Sequence, residues 1–280
     1  MSRLNIRKTY KLYINGEFPR TESGRFYPVH SSKGDTLLAN ACRGSRKDLR
    51  NAVAAARKAF PGWSGKTAYN RGQILYRIAE VCESRAAEME EELRRAGATK
   101  NAARKEVEQT IDRWVYYAGW ADKFSQILGT VNPVSGPYFN FTLTEPTGVV
   151  GIISPETPSL LGLVSRLAPA VVSGNTVVAL TSETQPLAAI TMGEIFETSD
   201  VPAGVINLIS GFKKELVSWL AAHMDVNSID LAGVPDAEMR LAATGSASEN
   251  VKRVVGEELI AIDWATDRRA ESIQAIADFL

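Results

Sequence analysis

From residue 148 onward the chain alternates short β-branched runs with helical stretches of about ten to sixteen residues. The runs are GVVGIIS (148–154), TVVAL (176–180), VINLI (205–209), SIDLA (228–232) and VKRVV or LIAIDW near 251–264. Strands joined through helices run parallel, and a parallel sheet needs cover on both faces. This pattern predicts an α/β fold with a Rossmann-like, doubly wound parallel sheet. The stretch Ser159–Ser173 is apolar almost all round, through Leu160, Leu161, Leu163, Val164, Leu167, Val171 and Val172, as a buried helix must be. Pro169 within it predicts a local kink.

The first third reads as a helical layer. Two strand-like pieces, YKLYINGEF and GRFYPVH, precede a helix expected from Arg46 to Phe60, capped by Ser45, with Val53, Ala56 and Phe60 on one face. A longer helix is expected over Tyr69–Ala96, stopped by Gly97. Near its end, Glu90–Arg94 and Glu91–Arg95 stand four apart in the favourable order. A third helix is expected over Asn101–Leu128, with Val107, Ile111, Trp114, Val115 and Ala118 as its buried stripe. Segment 136–145, GPYFNFTLTE, then changes period. Phe139, Phe141 and Leu143 alternate with polar residues, which marks a strand with one apolar face. The chain thus divides into 1–135, a strand segment at 136–147, and β/α units at 148–280.

Charge narrows the function. Thirty-two basic residues balance thirty-two acidic ones, so no whole-chain field draws in nucleic acid or anionic lipid. Apolar stretches break well short of the ~20 residues a membrane span requires. The start, MSRLNIRKTYKLYING, has basic residues and no apolar signal core, so a cytoplasmic location is expected. Cys42 and Cys82 are the two cysteines, with no CxxC spacing, and His30 and His223 the two histidines. That leaves no zinc site or disulfide framework to expect. Cys82 falls on the apolar face made by Leu75, Ile78, Ala79 and Ala86, and Cys42 at a strand end, so neither reads as a nucleophile.

Seven segments together resemble a known family. YINGEF, AARKAFPGWS, RGQILYRIAEV, YYAGWADK, EPTGVVGIISP, LAPAVVSGNTVV and VPAGVINLISG, in that order, are similar to the N-terminal half of an aldehyde dehydrogenase, over residues 10 to about 212. The resemblance implies a nucleotide-binding domain, built here from 1–135 and 148–280. It also implies that strand 136–147 belongs to a hairpin bridging subunits.

The family's chemistry uses a cysteine nucleophile, an amide for the oxyanion and a glutamate base. Several of those positions are altered here. The family's P-W-N-F-P corresponds to Pro155-Glu156-Thr157-Pro158-Ser159, with Thr157 in place of the oxyanion Asn. Loss of such a donor costs roughly 2.7–4 kcal/mol of barrier. The cofactor motif V-L-K-P-A-E reads Val178-Ala179-Leu180-Thr181-Ser182-Glu183, so Leu180 replaces the Lys while Glu183 is retained. The glycine turn reads Gly211-Phe212-Lys213-Lys214-Glu215, which puts Lys213 where a helix N-terminus approaches phosphate. The F-T-G-S signature reads Leu231-Ala232-Gly233-Val234. Glu257 stands at the base position as a vestige, and the domain that carries the family's cysteine is expected to be absent.

Packing motifs survive while site residues change, which implies a catalytically inactive, structural or assembly subunit. The pattern resembles most the non-catalytic C-terminal domain of the two-domain aldehyde dehydrogenases of family 16. No cofactor is expected, beyond weak NAD binding at most. The expected partner is a protein, an aldehyde dehydrogenase or a second copy, met through Phe139, Phe141 and Leu143. Two alternatives remain open: one part of a split NAD(P)-dependent aldehyde dehydrogenase whose partner supplies the cysteine, and a nucleotide-binding sensor.

Overall fold

A computed structural model describes residues 8–34 and 36–280; the start of the basic N-terminal stretch, residues 1–7, lies outside the described residues. Three strands open the fold: β1 (Thr9–Tyr10), β2 (Phe26–His30) and β3 (Leu37–Cys42). They form their own small sheet in the order β1-β3-β2. Five helices follow: α1 (Arg46–Ser64), α2 (Ala68–Ser84), α3 (Ala86–Ala96), α4 (Lys100–Trp120) and α5 (Phe124–Leu128). After a hairpin of β4 (Thr130–Asn132) and β5 (Asn140–Thr142) come the alternating units β6 (Val149–Ile153), α6 (Ser159–Val172), β7 (Thr176–Leu180), α7 (Leu187–Glu197), β8 (Ile206–Ile209), α8 (Lys213–Ala222), β9 (Ser228–Asp230), α9 (Ala237–Ser248) and β10 (Arg253–Val255). One-turn helices lead to α10 (Ile273–Ala277).

The main sheet is parallel throughout, in the order β10-β9-β6-β7-β8. The doubly wound α/β expectation therefore holds. Winding goes from β6 outward to β8, then returns to place β9 on the other side of β6. The switch point lies between β6 and β9, and at its carboxyl end such sheets form their ligand crevice. Helices α6 and α7, with α2 and α4 stacked outside them, cover one face; α1, α8 and α9 cover the other. All of α6 is buried, as its composition requires, and it continues past Pro169 to Val172. Full burial of each large aliphatic side chain contributes about 1.5–3 kcal/mol. At the outer edge, Tyr13 exchanges backbone hydrogen bonds with Leu208 of β8, so the β8 edge is paired.

Several boundaries depart from the sequence reading. The helix expected over 69–96 is two helices, because the Arg85 backbone leaves helical values (φ −109°, ψ 13°). Ser84 donates back to the Val81 carbonyl there, competing with the helical ladder. Near Gly97, whose φ of 119° suits glycine, the ion pairs are Glu91–Arg94 and Glu92–Arg95, three apart rather than four. The third helix breaks at 121–123, and Val115 faces solvent at 41% exposure while Tyr117 takes its place in the core. The strand expected over 136–145 pairs only across Asn140–Thr142, with β4 as a partner the pattern did not reveal. LIAIDW is no strand: Gly256, at φ 81°, ends β10. Leu259 and Trp264 then turn inward to pack on Leu161, Ala232 and Ala270.

Candidate functional site

Lys213 is the first residue of α8, directly below the switch-point crevice. Its side chain is 8% exposed and runs inward. The ammonium donates to the Ser154 carbonyl at the end of β6 (2.7 Å) and to the Gly233 carbonyl just past β9 (2.9 Å). One cation thus ties together the two strands that flank the switch point. The loop after β9 can come this close because residue 233 is glycine. A Cβ there would lie 2.2 Å from the carbonyl oxygens of Ile153 and Ser154.

Opposite the ammonium stands Glu156, with Oε1 2.5 Å from Nζ. Its Oε2 accepts from Ser182 Oγ (2.8 Å), the backbone N–H of Glu183 (3.0 Å) and of Thr184 (3.1 Å), and Thr184 Oγ1 (2.9 Å). The loop after β7 therefore wraps this carboxylate in successive N–H donors. Burial alone would raise the Glu156 carboxyl. The Lys213 ammonium and these donors outweigh it and hold the group below its ordinary value. Glu183 closes the other seat: its Oε2 accepts from the backbone N–H of Lys213 at 2.8 Å. A helix N-terminus attracts anions, and here the anion is the chain's own carboxylate.

The remaining sequence-derived positions differ in exposure. Thr157 is exposed. Leu180, at the end of β7, is 2% exposed and packs into the core beneath α1. Glu257 is exposed past β10, where Thr244 Oγ1 donates to it at 3.3 Å. Cys42 and Cys82 are both buried. Burial pushes the Cys82 thiol up to about 12, and its sulfur lies 3.9 Å from that of Met192. Phe139, Phe141 and Leu143 are exposed on and beside β5, and the first two rings lie tilted against one another at 5.3 Å. Among the described residues, no group of three or more His, Cys, Asp or Glu is placed to hold a metal, and no helix is long and apolar enough to cross a membrane. Two of the larger cavities, about 640 and 610 Å³, lie elsewhere, beside Trp219 and between α2 and α4.

Sequence reasoning missed Glu156, the acid at the centre of the site. The available signal was positional: an acidic residue just past the first strand of the β/α repeat stands at the crevice of any such sheet. It also missed Arg166, wholly buried in α6, which pairs with Asp230 of β9 and with Asp278 (2.9 Å). Burial alone would lower this guanidinium, but the two carboxylates overcome it and raise it.

The sequence model of the aldehyde dehydrogenase family matches residues 18–258. The chain is 35% identical over 251 residues to a mitochondrial benzaldehyde dehydrogenase of Antirrhinum majus, covering 88% of this chain and 46% of that protein. It is 34% identical over 259 residues to human (Homo sapiens) retinal dehydrogenase 2, covering 91% and 49%. Among solved structures, the HpcC protein of Thermus thermophilus superposes with a TM-score of 0.82 at 31% identity, over 88% of this chain and 47% of that one. An NAD+ complex of a Bacillus cereus aldehyde dehydrogenase gives 0.81 at 28% identity, over 88% and 50%. The chain belongs to the aldehyde dehydrogenase family. It spans about half the length of the curated relatives it matches.

Proposed function

We propose that this chain is a catalytically inactive aldehyde dehydrogenase homologue that works as a structural or assembly subunit. The observation that carries this reading is the Lys213–Glu156 pair. The crevice where a Rossmann-like sheet takes its dinucleotide is filled by the chain's own ion pair, and Glu183 takes the N–H that a phosphate would use. A pyrophosphate entering here meets two carboxylates and has to displace them. The residues present do not fit a dinucleotide, so no hydride-transfer step is assigned to them. Both thiols in this sequence are buried, which agrees with the same reading. This reading includes the resemblance to the non-catalytic second domain of the family 16 enzymes. The partner we assign is an aldehyde dehydrogenase or a second copy of this chain, through the β4–β5 hairpin.

The test joins turnover to binding. With NAD or NADP and a panel of aldehydes, the purified chain gives no rise in the absorbance of reduced nicotinamide. Calorimetric titration with NAD gives no saturable heat for the wild type. A Lys213→Gly, Leu180→Lys variant, which empties the crevice and restores a cation, gains measurable affinity. Micromolar NAD binding by the wild type revives the sensor reading. Turnover that survives Cys42→Ser and Cys82→Ser but is lost with Glu257→Gln overturns the inactive one.

A further inference from the structure

The cavity of about 640 Å³ lies where the start of α1 meets the end of α8, and its volume is that of a small-molecule site. It sits at the opposite end of α8 from Lys213, roughly 14 Å along the helix, so it is separate from the switch-point crevice. The wall at the end of α8 is apolar: Trp219 is 42% exposed and Met224 71%. An aromatic ring and a thioether open to solvent beside one cavity make a flat, adaptable seat.

The facing wall is cationic. Arg46, Lys47 and Arg50 of α1 line it against one carboxylate, Glu22, which Lys47 engages at 2.8 Å. Two positive charges are left over. Arg46 and Arg50 stand four apart on α1, a spacing at which like charges destabilise a helix. Among the described residues neither has a carboxylate partner. Asp48, the acid of that turn, faces inward to Thr21 and to the backbone N–H groups of Ser45 and Glu22. Ser45 already caps this helix end, so the attraction lies in the side chains. The Arg46 guanidinium carbon lies 3.5 Å from the centre of the Trp219 ring. Stacking engages the face of the guanidinium, leaves its in-plane N–H groups free, and sets the fork before a ligand arrives. His223 completes the wall. Its Nδ1 accepts from the Asp225 N–H at 3.2 Å, which leaves Nε2 to carry the proton of the neutral ring. Burial holds this imidazole below its ordinary value, so it adds a donor and not a charge.

We propose that this cavity binds a small phosphate monoester of a planar aromatic group, with the phosphate between Arg46 and Arg50 and the ring against Trp219. A phosphate monoester carries a charge of about −1.5 to −2 near neutrality, which matches the surplus, whereas a carboxylate cancels only half of it. The planar forks of two guanidinium groups present paired N–H donors to phosphate oxygens. The inference goes beyond the proposed function and does not rest on it, since a site at this end of α8 serves an inactive subunit as well as an active one.

The test titrates the whole chain with phenyl phosphate by calorimetry, with inorganic phosphate and phenol as its two halves. Phenyl phosphate is expected to bind at least about tenfold more tightly than either half. Arg50→Gln should weaken it about tenfold or more, the loss of one charged hydrogen bond. Trp219→Ala should bring phenyl phosphate down to the affinity of inorganic phosphate. Both side chains stand at the surface, so the variants are expected to keep the wild-type urea midpoint. Adenosine 5′-monophosphate distinguishes the sources of such an ester. An affinity at or above that of phenyl phosphate, lost in the same two variants, supports the site with a nucleotide as its ligand; a weaker one supports it with a smaller aryl phosphate. NAD binding at the switch-point crevice is told apart by its indifference to Arg50→Gln. The absence of saturable heat with phenyl phosphate overturns the proposal. So does binding that either variant leaves unchanged, which places the ligand elsewhere. Phenyl phosphate that binds no more tightly than inorganic phosphate also overturns it, since only a general attraction to surface cations is then left.

Discussion

Lys213 Nζ lies 2.5 Å from Glu156 Oε1, and the same ammonium donates to the carbonyls of Ser154 and Gly233. A single side chain therefore neutralises the acid beyond β6 and pins the loop beyond β9. Glu156→Gln keeps the shape but leaves the ammonium with carbonyls alone. Removing one partner of a buried pair typically costs about 3–5 kcal/mol. The Glu156 side chain is 33% exposed, so the expected loss is smaller, about 1–3 kcal/mol. Urea unfolding measures it. An unchanged midpoint means that the pair does not hold the crevice closed.

The same pair sets an acid limit. The folded value of the Glu156 carboxyl lies below its ordinary 4.5, despite burial that acts the other way, because of Lys213 and the N–H donors. A depressed carboxylate contributes stability that is fully present above the ordinary value and is lost as pH falls through the folded one. The wild type is expected to lose its advantage over Glu156→Gln as pH drops below 4.5. Unfolding midpoints followed across this range should converge. Parallel curves contradict the assignment.

Asp230 and Arg166 are both wholly buried. Asp230→Ala leaves the guanidinium with Asp278 as its remaining anion, and the expected loss is about 3–5 kcal/mol. Replacing both members, with Arg166→Met and Asp230→Leu, restores part of it, since the one charge then left without its partner, Asp278, has 13% of its side chain exposed to water. Thermal unfolding of the single and double variants distinguishes the outcomes. A double variant no better than the single one shows that the pair serves packing and not charge balance.

Neither thiol is expected to react in the native state. Cys82 is fully buried and raised to about 12, and Cys42 is 2% exposed. Since the thiolate is the reactive form, labelling by a disulfide reagent should wait for unfolding in both cases. Rapid labelling of one thiol in the folded chain would identify a nucleophile that the geometry does not provide.

The sheet was legible because its strands are short, β-branched and separated by helical stretches, a pattern that tertiary context rarely overrides. Ser45 was legible as a cap for a local reason: its side chain and that of Asp48 complete a reciprocal box within four residues. What escaped depends on distant partners. Arg85 breaks a periodic helix while its guanidinium reaches Glu194 on α7, and no local pattern encodes that pairing. LIAIDW reads as a strand by period, yet it packs as a turn because Leu161 and Ala232 offer it an apolar seat. At the site, resemblance directed attention to Thr157 and Leu180, positions defined by what was lost. The residues that fill the crevice, Glu156 and Lys213, lie 57 positions apart (213 − 156), and only the winding of the sheet brings them together.

The hairpin carries the last prediction. Among the described residues, β4 and β5 pair only with one another, through Val131↔Phe141 at their centre. Val131, Phe139, Phe141 and Leu143 are 68%, 75%, 51% and 73% exposed. An open strand edge bearing a contiguous apolar row is a liability that native proteins cover. The expected cover is another subunit. Phe141→Asp puts a charge at the centre of that row without touching the core, so the stability of the isolated chain should move by no more than about 0.5 kcal/mol. Association should change far more. Size-exclusion chromatography with light scattering is expected to show an assembly larger than one chain, alone or with an added aldehyde dehydrogenase, and its loss in the Asp variant. A wild type that keeps the mass of a single chain in both experiments, with a variant that elutes identically, removes the assembly role.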